Sequence, residues 1–313
     1  MRRFWIDTDT ASDDAVAILM ALRWPDVHVE GISIVAGNVP VEMGSKNARY
    51  TVELCGKDTP VYVGAPHPFC RPPSWAHFFH GPDGMGNQNY PEPKRPAEEK
   101  HGVQALIDAA RRYGGELNLV TLGPLTNIAT ALTLAPDIAQ KIKSCTIMGG
   151  AAASLGNITP AAEFNIWVDP ESAKAVFFSG MSMLMVGWEH CRAEANLSDE
   201  EIATVRSFKT KYADFAIDCN YHALKANREW LQDPGLGLPD PVAMSVALDP
   251  AICTKRGTHH VNVEYGSELT RGMTVGDQLD VMPEGMKPPK KMDVVWEIDP
   301  VKWKDALYRF LWD

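Results

Sequence analysis

The stretch Phe4-Trp5-Ile6-Asp7-Thr8-Asp9-Thr10-Ala11-Ser12-Asp13-Asp14-Ala15-Val16 sets the reading of the whole chain. A brief apolar run ends in a carboxylate-rich corner, and an apolar helix face at Ala15, Val16, Ile18 and Leu19 follows at once. Such a strand, corner and helix open a βα unit. The same step recurs outward from it. Residues 29–35 lead into 41–54, and 117–122 lead into 125–134. Thr146-Ile147-Met148 stops at Gly149-Gly150, and 182–186 follow the helical stretch 171–178. Brief buried strands alternating with amphipathic helices predict an α/β fold, an open and mostly parallel sheet flanked by helices. Sites in such folds form beyond the carboxyl ends of the strands. The polar residues of 7–14, Gly37-Asn38, 123–127 and Gly149-Gly150 all fall there.

The 313 residues are 45% hydrophobic and 22% charged, an ordinary globular composition with enough length for a sizeable core. The formal net charge of -10 argues against nucleic acid as a partner, because phosphate binding needs clustered Lys and Arg. It suits a protein that collects cations. Six scattered cysteines with no CxxC pair read as isolated reduced thiols. No apolar h-region opens the chain and no apolar stretch reaches spanning length, which predicts a soluble cytoplasmic protein without a membrane partner. We read one domain over 1–313 with two elaborated loops. Residues 66–96 are rich in Pro, Gly, His and aromatics, and 192–237 mix helical pattern with polar and aromatic residues.

Asp7, Asp9, Asp13 and Asp14 fall within eight positions. One or two of them are explained as helix caps, where the dipole favours a carboxylate by about 0.3–1 kcal/mol. Four are not, since like charges crowded together need a cation or shared protons for relief. An all-oxygen donor set points to calcium or magnesium over zinc. Asp7-Thr8-Asp9 after an apolar strand also resembles the haloacid-dehalogenase-like phosphatases, but that reading leaves Asp13 and Asp14 unused. It also wants a late acidic pair at a strand end, and Asp277 and Asp280 follow no evident strand in the sequence.

A second resemblance runs along the chain. The Asp-x-Asp-x-x-x-Asp-Asp pattern of 7–14 resembles the signature of the inosine–uridine nucleoside hydrolases. It continues through Val35-Ala36-Gly37-Asn38, His80-Gly81-Pro82-Asp83-Gly84 and Gly123-Pro124-Leu125-Thr126-Asn127. Met148-Gly149-Gly150, Gly156-Asn157, Ala162-Glu163-Phe164-Asn165, Asp240-Pro241 and the 268–275 segment extend it in order. The resemblance implies a Rossmann-like fold and hydrolysis of a ribonucleoside to ribose and base, with Ca²⁺ as cofactor. It implies Asp9, Asp14, the main-chain oxygen of Thr126 and Asp240 as metal ligands, with Asp9 also the general base. Asp13, Asn38, Met148, Asn157, Glu163 and Asn165 would contact substrate, and Asp7 would orient the ligands. A homo-oligomer, dimer or tetramer, is implied as well. Taken singly, Asn38 and Asn157 are equally read as turn residues after glycine, and Glu163 and Asn165 as solvent-facing loop residues. Arg271 reads as a salt-bridge former.

The pattern breaks on the base side. Many members carry His or Trp immediately before the late aspartate, where this chain has Pro239. Proline offers neither a proton nor a stacking face. His80, Tyr221, His222 and Trp230 are the candidates for lining or closing that side, with Trp75, His77, Phe78 and Phe79 as a possible lid or an apolar staple. A calcium- and ribose-binding relative that turns over slowly or not at all is the alternative to an active hydrolase.

Overall fold

The computed structural model describes residues 1–281, 285 and 287–312, and nine strands of these residues form one sheet. They are β1 at Arg2–Thr8, β2 at Val27–Ile34, β3 at Val61–Val63, β4 at Leu117–Thr121 and β5 at Ile142–Met148. Then come β6 at Met183–Val186, β7 at Cys253–Val263, β8 at Thr274–Asp277 and β9 at Met292–Ile298. Their order is β3-β2-β1-β4-β5-β6-β9-β7-β8. Every pairing from β3 across to β9 is parallel, and only β7 and β8 pair antiparallel to their neighbours. Phe4, Trp5 and Ile6 are all buried, as expected of a central strand covered on both faces.

The first helices are α1 (Ser12–Arg23), α2 (Val41–Leu54), α3 (His77–His80), α4 (Gly102–Arg112), α5 (Thr126–Leu134) and α6 (Phe164–Val168). The later ones are α7 (Pro170–Phe177), α8 (Asp199–Ser207), α9 (Lys211–Asp218), α10 (Tyr221–Ala226), α11 (Pro239–Leu248) and α12 (Pro300–Trp312). One core packs α1, α2, α9, α11 and α12 on one face of the sheet, and a second packs α4, α5 and α7 on the other. Helix α1 is buried from Ser12 to Leu22, because α2, α11 and α12 all pack on it. The aspartates of its first turn are buried with it.

The strand order reverses beside β1. The chain leaves β1 toward β2 and β3, then returns to its other side with β4, and this is where an open α/β sheet forms a crevice. The carboxyl ends of β1 and β4 meet there, with Asp7 in register with Thr121. Two expectations are corrected. Residues 192–237 are mostly helical, carrying α8, α9, α10 and a π-helical turn at Asn227–Leu231, because their apolar residues at helical spacing pack into the first core. Asp277 does end a strand, β8, which the mixed and half-exposed pattern of the late segment concealed. That strand is the far edge of the sheet, six places from β1, so Asp277 does not converge with Asp7 and Asp9 as a phosphatase would require. Arg271 grips Glu171 of α7 through two bonds of 2.7 and 2.9 Å, the salt bridge expected of it. No helix among the described residues is long and apolar enough to cross a membrane.

Candidate active site

The crevice floor is built from carboxylates. Asp7, near the end of β1, accepts from the Ser33 hydroxyl on β2 and from Asn127 Nδ2 at 2.8 Å in the first turn of α5. It ties three elements together, and burial pushes its carboxyl up to about 7 against those bonds. Asp9 follows the strand end. Its Oδ2 accepts the Asn38 amide at 2.5 Å, and its Oδ1 is buried with no partner. Two glycines make room for it: a Cβ at Gly37 would stand 2.0 Å from Oδ2, and one at Gly123 would stand 2.7 Å from Oδ1.

The first turn of α1 supplies the rest. Asp14 accepts from Thr8 Oγ1 at 2.5 Å and from the Ala11 amide at 3.0 Å, closing the helix N-terminus on itself. Asp13 Oδ2 receives the Asp240 amide at 3.4 Å from the start of α11, which joins sequence positions 227 apart. Oxygens of Asp13, Asp14 and Asp240 lie within 4.8 Å of one another, all buried. Burial first, and then the charge of Asp14, hold Asp9 and Asp240 well above the ordinary carboxylate range. Asp13 is pushed to about 7 by burial and then by Asp14. Among the described residues, no Lys or Arg forms an ion pair with these groups. His80 reaches them, with Nδ1 2.7 Å from Ser12 Oγ and 3.9 Å from Asp13 Oδ1, but burial drives its imidazole down to about 3 and keeps it neutral.

Buried charges without counter-charge are costly, at several kcal/mol per ion. Here four carboxylates crowd together, one with an orphaned buried oxygen, and every donor atom is a hard oxygen. The set fits a divalent cation.

Above the floor, the residues following β5 form one wall. Glu163 caps α6, its oxygens receiving the amides of Asn165 at 2.9 Å, Gly150 at 2.9 Å and Ile166 at 3.3 Å; burial raises it to about 7. Asn157 Oδ1 accepts from the Phe164 amide at 2.9 Å, and Asn165 Nδ2 donates to the carbonyls of Leu122 at 2.8 Å and Met148 at 3.3 Å. At the mouth, Phe78 and Trp230 are 51% and 53% exposed, with ring centroids 5.5 Å apart. Trp230 rides on the π-helical turn, a feature often found at functional sites.

Of the residues singled out from sequence, Asp13, Asn38, His80, Met148, Asn157, Glu163, Asn165, Trp230 and Asp240 line this cavity. Asp9 and Asp14 sit directly behind them through Asn38, whose side-chain amide is 3.4 Å from Asp14 Oδ2. Of the lid candidates, Phe78 and Phe79 line it and Trp75 and His77 do not, and three further candidates are elsewhere. Thr126 begins α5, with its carbonyl taken by Thr130 Oγ1 at 2.7 Å and its hydroxyl donated to Asp169 at 2.6 Å. Tyr221 is exposed, and His222 packs against Gly81 outside the cavity lining. Sequence reasoning passed over Leu122, which follows β4 and lines the crevice, as well as Ser12 and Asn227; the segment 187–192 departs from the family pattern on the base side, and its Trp188 lines the cavity. The strand-end rule applied to 117–122 would have found Leu122.

The model of the inosine-uridine preferring nucleoside hydrolase family matches residues 4–305. Uridine nucleosidase 1 of Arabidopsis thaliana is 37% identical over 290 residues, covering 90% of this chain and 82% of that protein. A solved plant nucleoside hydrolase superposes with a TM-score of 0.93 at 28% identity, over 99% of this chain and 98% of its own. A purine-preferring ribonucleoside hydrolase from Gardnerella vaginalis gives 0.89 at 31% identity, over 99% of both chains.

Proposed function

The chain belongs to the inosine-uridine preferring nucleoside hydrolase family, and we propose that it cleaves ribonucleosides to ribose and free base in the carboxylate-floored crevice, with Asp9 as general base and Ca²⁺ held beside it. The observation that carries this is the buried cluster of Asp9, Asp13, Asp14 and Asp240 at the strand-order reversal. Asp9, Asp14 and Asp240 would hold the ion with a main-chain oxygen; Leu122, whose carbonyl also accepts from Asn165 Nδ2 at 2.8 Å, lines the cavity, whereas Thr126 does not and its carbonyl accepts from Thr130 within the helix. Calcium takes six to eight oxygens, leaving places for a water and a sugar diol, and when bound it would acidify that water and keep the carboxylates ionised.

Asp9 is the proton acceptor because its Oδ1 has no other partner while the Asn38 amide fixes its Oδ2. Asp13, free of the strand ends and lining the cavity, accepts ribose hydroxyls. Asn157, Asn165 and Glu163 position the sugar from the opposite wall, with Glu163 held still by its three backbone bonds. As the glycosidic bond breaks, the sugar gains oxocarbenium character, and the surrounding carboxylates stabilise it. Asp7 keeps β1, β2 and α5 in register beneath the site.

The relatives named above differ between uridine and purine preference, so the reading extends to N-ribosides as a class. It further takes 1–313 as one domain, because one sheet collects strands from Arg2 to Ile298, and takes the protein as cytoplasmic and homo-oligomeric, a dimer or tetramer. Light scattering and cell fractionation test those last two points. The activity is tested by assaying ribose from uridine, inosine and guanosine with calcium and after chelation. Release that chelation abolishes supports the reading. Calcium and ribose binding without release would move it to a non-catalytic relative with Pro239 as the reason.

A further inference from the structure

We propose that the preferred substrates are N-ribosides whose base already carries a positive charge at or conjugated to the glycosidic nitrogen, such as N-ribosylpyridinium and 7-alkylpurine nucleosides. The inference rests on the hydrolase reading and names its substrate class. Three observations carry it. First, the walls and mouth above the floor are aromatic and apolar, with Phe78, Phe79, Phe164, Trp188, Trp230 and Pro239 all lining the cavity. Aromatic faces attract a cation and repel an anion. Second, the floor carries Asp9, Asp13, Asp14 and Asp240 with Glu163 on the wall, so among the described residues the only acidic or basic side chains besides His80 at the chamber are carboxylates. No Lys or Arg among the described residues lines it.

Third, the groups able to give up a proton are engaged at the sugar end. Glu163 spends its oxygens on backbone amides, and the His80 ring is held at the carboxylates by Ser12. At the mouth stand Phe78 and Trp230, and α11 begins with Pro239. A neutral purine must be protonated to leave well, whereas a cationic base needs no proton. Water oxygen bonds to the anomeric carbon, the carbon–nitrogen bond breaks, and its electron pair neutralises the base as it departs. The proton of the water goes to Asp9.

The test compares kcat/KM for guanosine and 7-methylguanosine, which differ by a methyl group and a charge, with nicotinamide riboside and uridine alongside. A general acid contributes about 10²–10⁴-fold, so without one 7-methylguanosine should exceed guanosine by at least ~100-fold. Trp230→Ala should raise KM for 7-methylguanosine and nicotinamide riboside more than for uridine, a split that a merely structural role of Trp230 does not produce. Comparable kcat/KM for guanosine and its 7-methyl form overturns the inference and leaves the hydrolase reading standing. So does His80→Gln slowing guanosine far more than 7-methylguanosine, since it would reveal a leaving-group acid. Ribose release from none of the four removes the hydrolase reading and this inference with it.

Discussion

Gly37→Ala is a one-carbon change aimed at the proposed base. The new Cβ would stand 2.0 Å from Asp9 Oδ2 and 2.7 Å from Pro124 Cδ, while ordinary contact begins near 3.4 Å. Proline and the strand end cannot yield easily, so the carboxylate must retreat by roughly 1 Å or more in a closely packed interior. That retreat breaks the 2.5 Å bond from the Asn38 amide, which fixes the orientation of Asp9. A misplacement of about 1 Å costs on the order of 10²-fold in rate, and the overpacking costs about 1–3 kcal/mol of stability. The expected result is a kcat/KM lower by about two orders of magnitude in a protein that still melts cooperatively, several degrees early. Gly276→Ala is the control, because a Cβ there meets nothing within 4 Å. Ribose release is read beside a thermal melt. Wild-type kcat/KM in folded Gly37→Ala would refute the claim that Asp9 must sit where it does.

The ion-free protein should lose stability as pH rises from about 4 through 7. Asp7, Asp13 and Glu163 are raised to about 7, and burial holds Asp9 and Asp240 well above the ordinary carboxylate range, so the folded state holds protons that the unfolded chain releases at ordinary carboxylate pKa values. Calcium competes for the ionised form, so the stabilisation on adding it should grow with pH and reach about 4 kcal/mol at a thousandfold excess over Kd, read as a rise in Tm. A calcium effect equal at pH 5 and pH 8 would count against ligation by these carboxylates. Arg271→Met removes both bonds to Glu171, which Arg271 holds below its ordinary range despite burial; it should cost about 1–3 kcal/mol and leave KM unchanged. Denaturant melts and uridine kinetics separate the two effects. Thr126→Val should lower stability through the lost 2.6 Å bond to Asp169 while calcium affinity holds, and a large loss of affinity would restore Thr126 to the ion's surroundings.

Much of the fold was legible because the parallel core writes itself in periodicity. The run at Phe4-Trp5-Ile6 and the helix over 41–54 emerge in the structure essentially where the pattern placed them. The antiparallel end of the sheet was not. Cys253–Val263 is half exposed and includes Lys, Arg and two His, so neither alternation nor a continuous apolar run marks it. At the site, the near-sequence group of Asp9, Asp13 and Asp14 is compelled by spacing, while Asp240 joins only through tertiary packing of α11 on α1. A motif places residues and not carbonyl directions: the Thr126 carbonyl accepts from Thr130 within its helix, while Leu122 at the end of β4 lines the cavity. His222 and Trp230 lie in neighbouring segments, and only the folded arrangement, with Trp230 on the π-helical turn and His222 on α10, tells which one lines the cavity.

The most direct measurement is ribose released from uridine by Asp9→Asn against the wild-type protein, both saturated with calcium and both verified as folded. The account predicts a fall of about 10²–10⁴-fold, the usual contribution of a positioned base. A near wild-type rate would contradict it, because the buried carboxylate cluster would then not be where the proton goes.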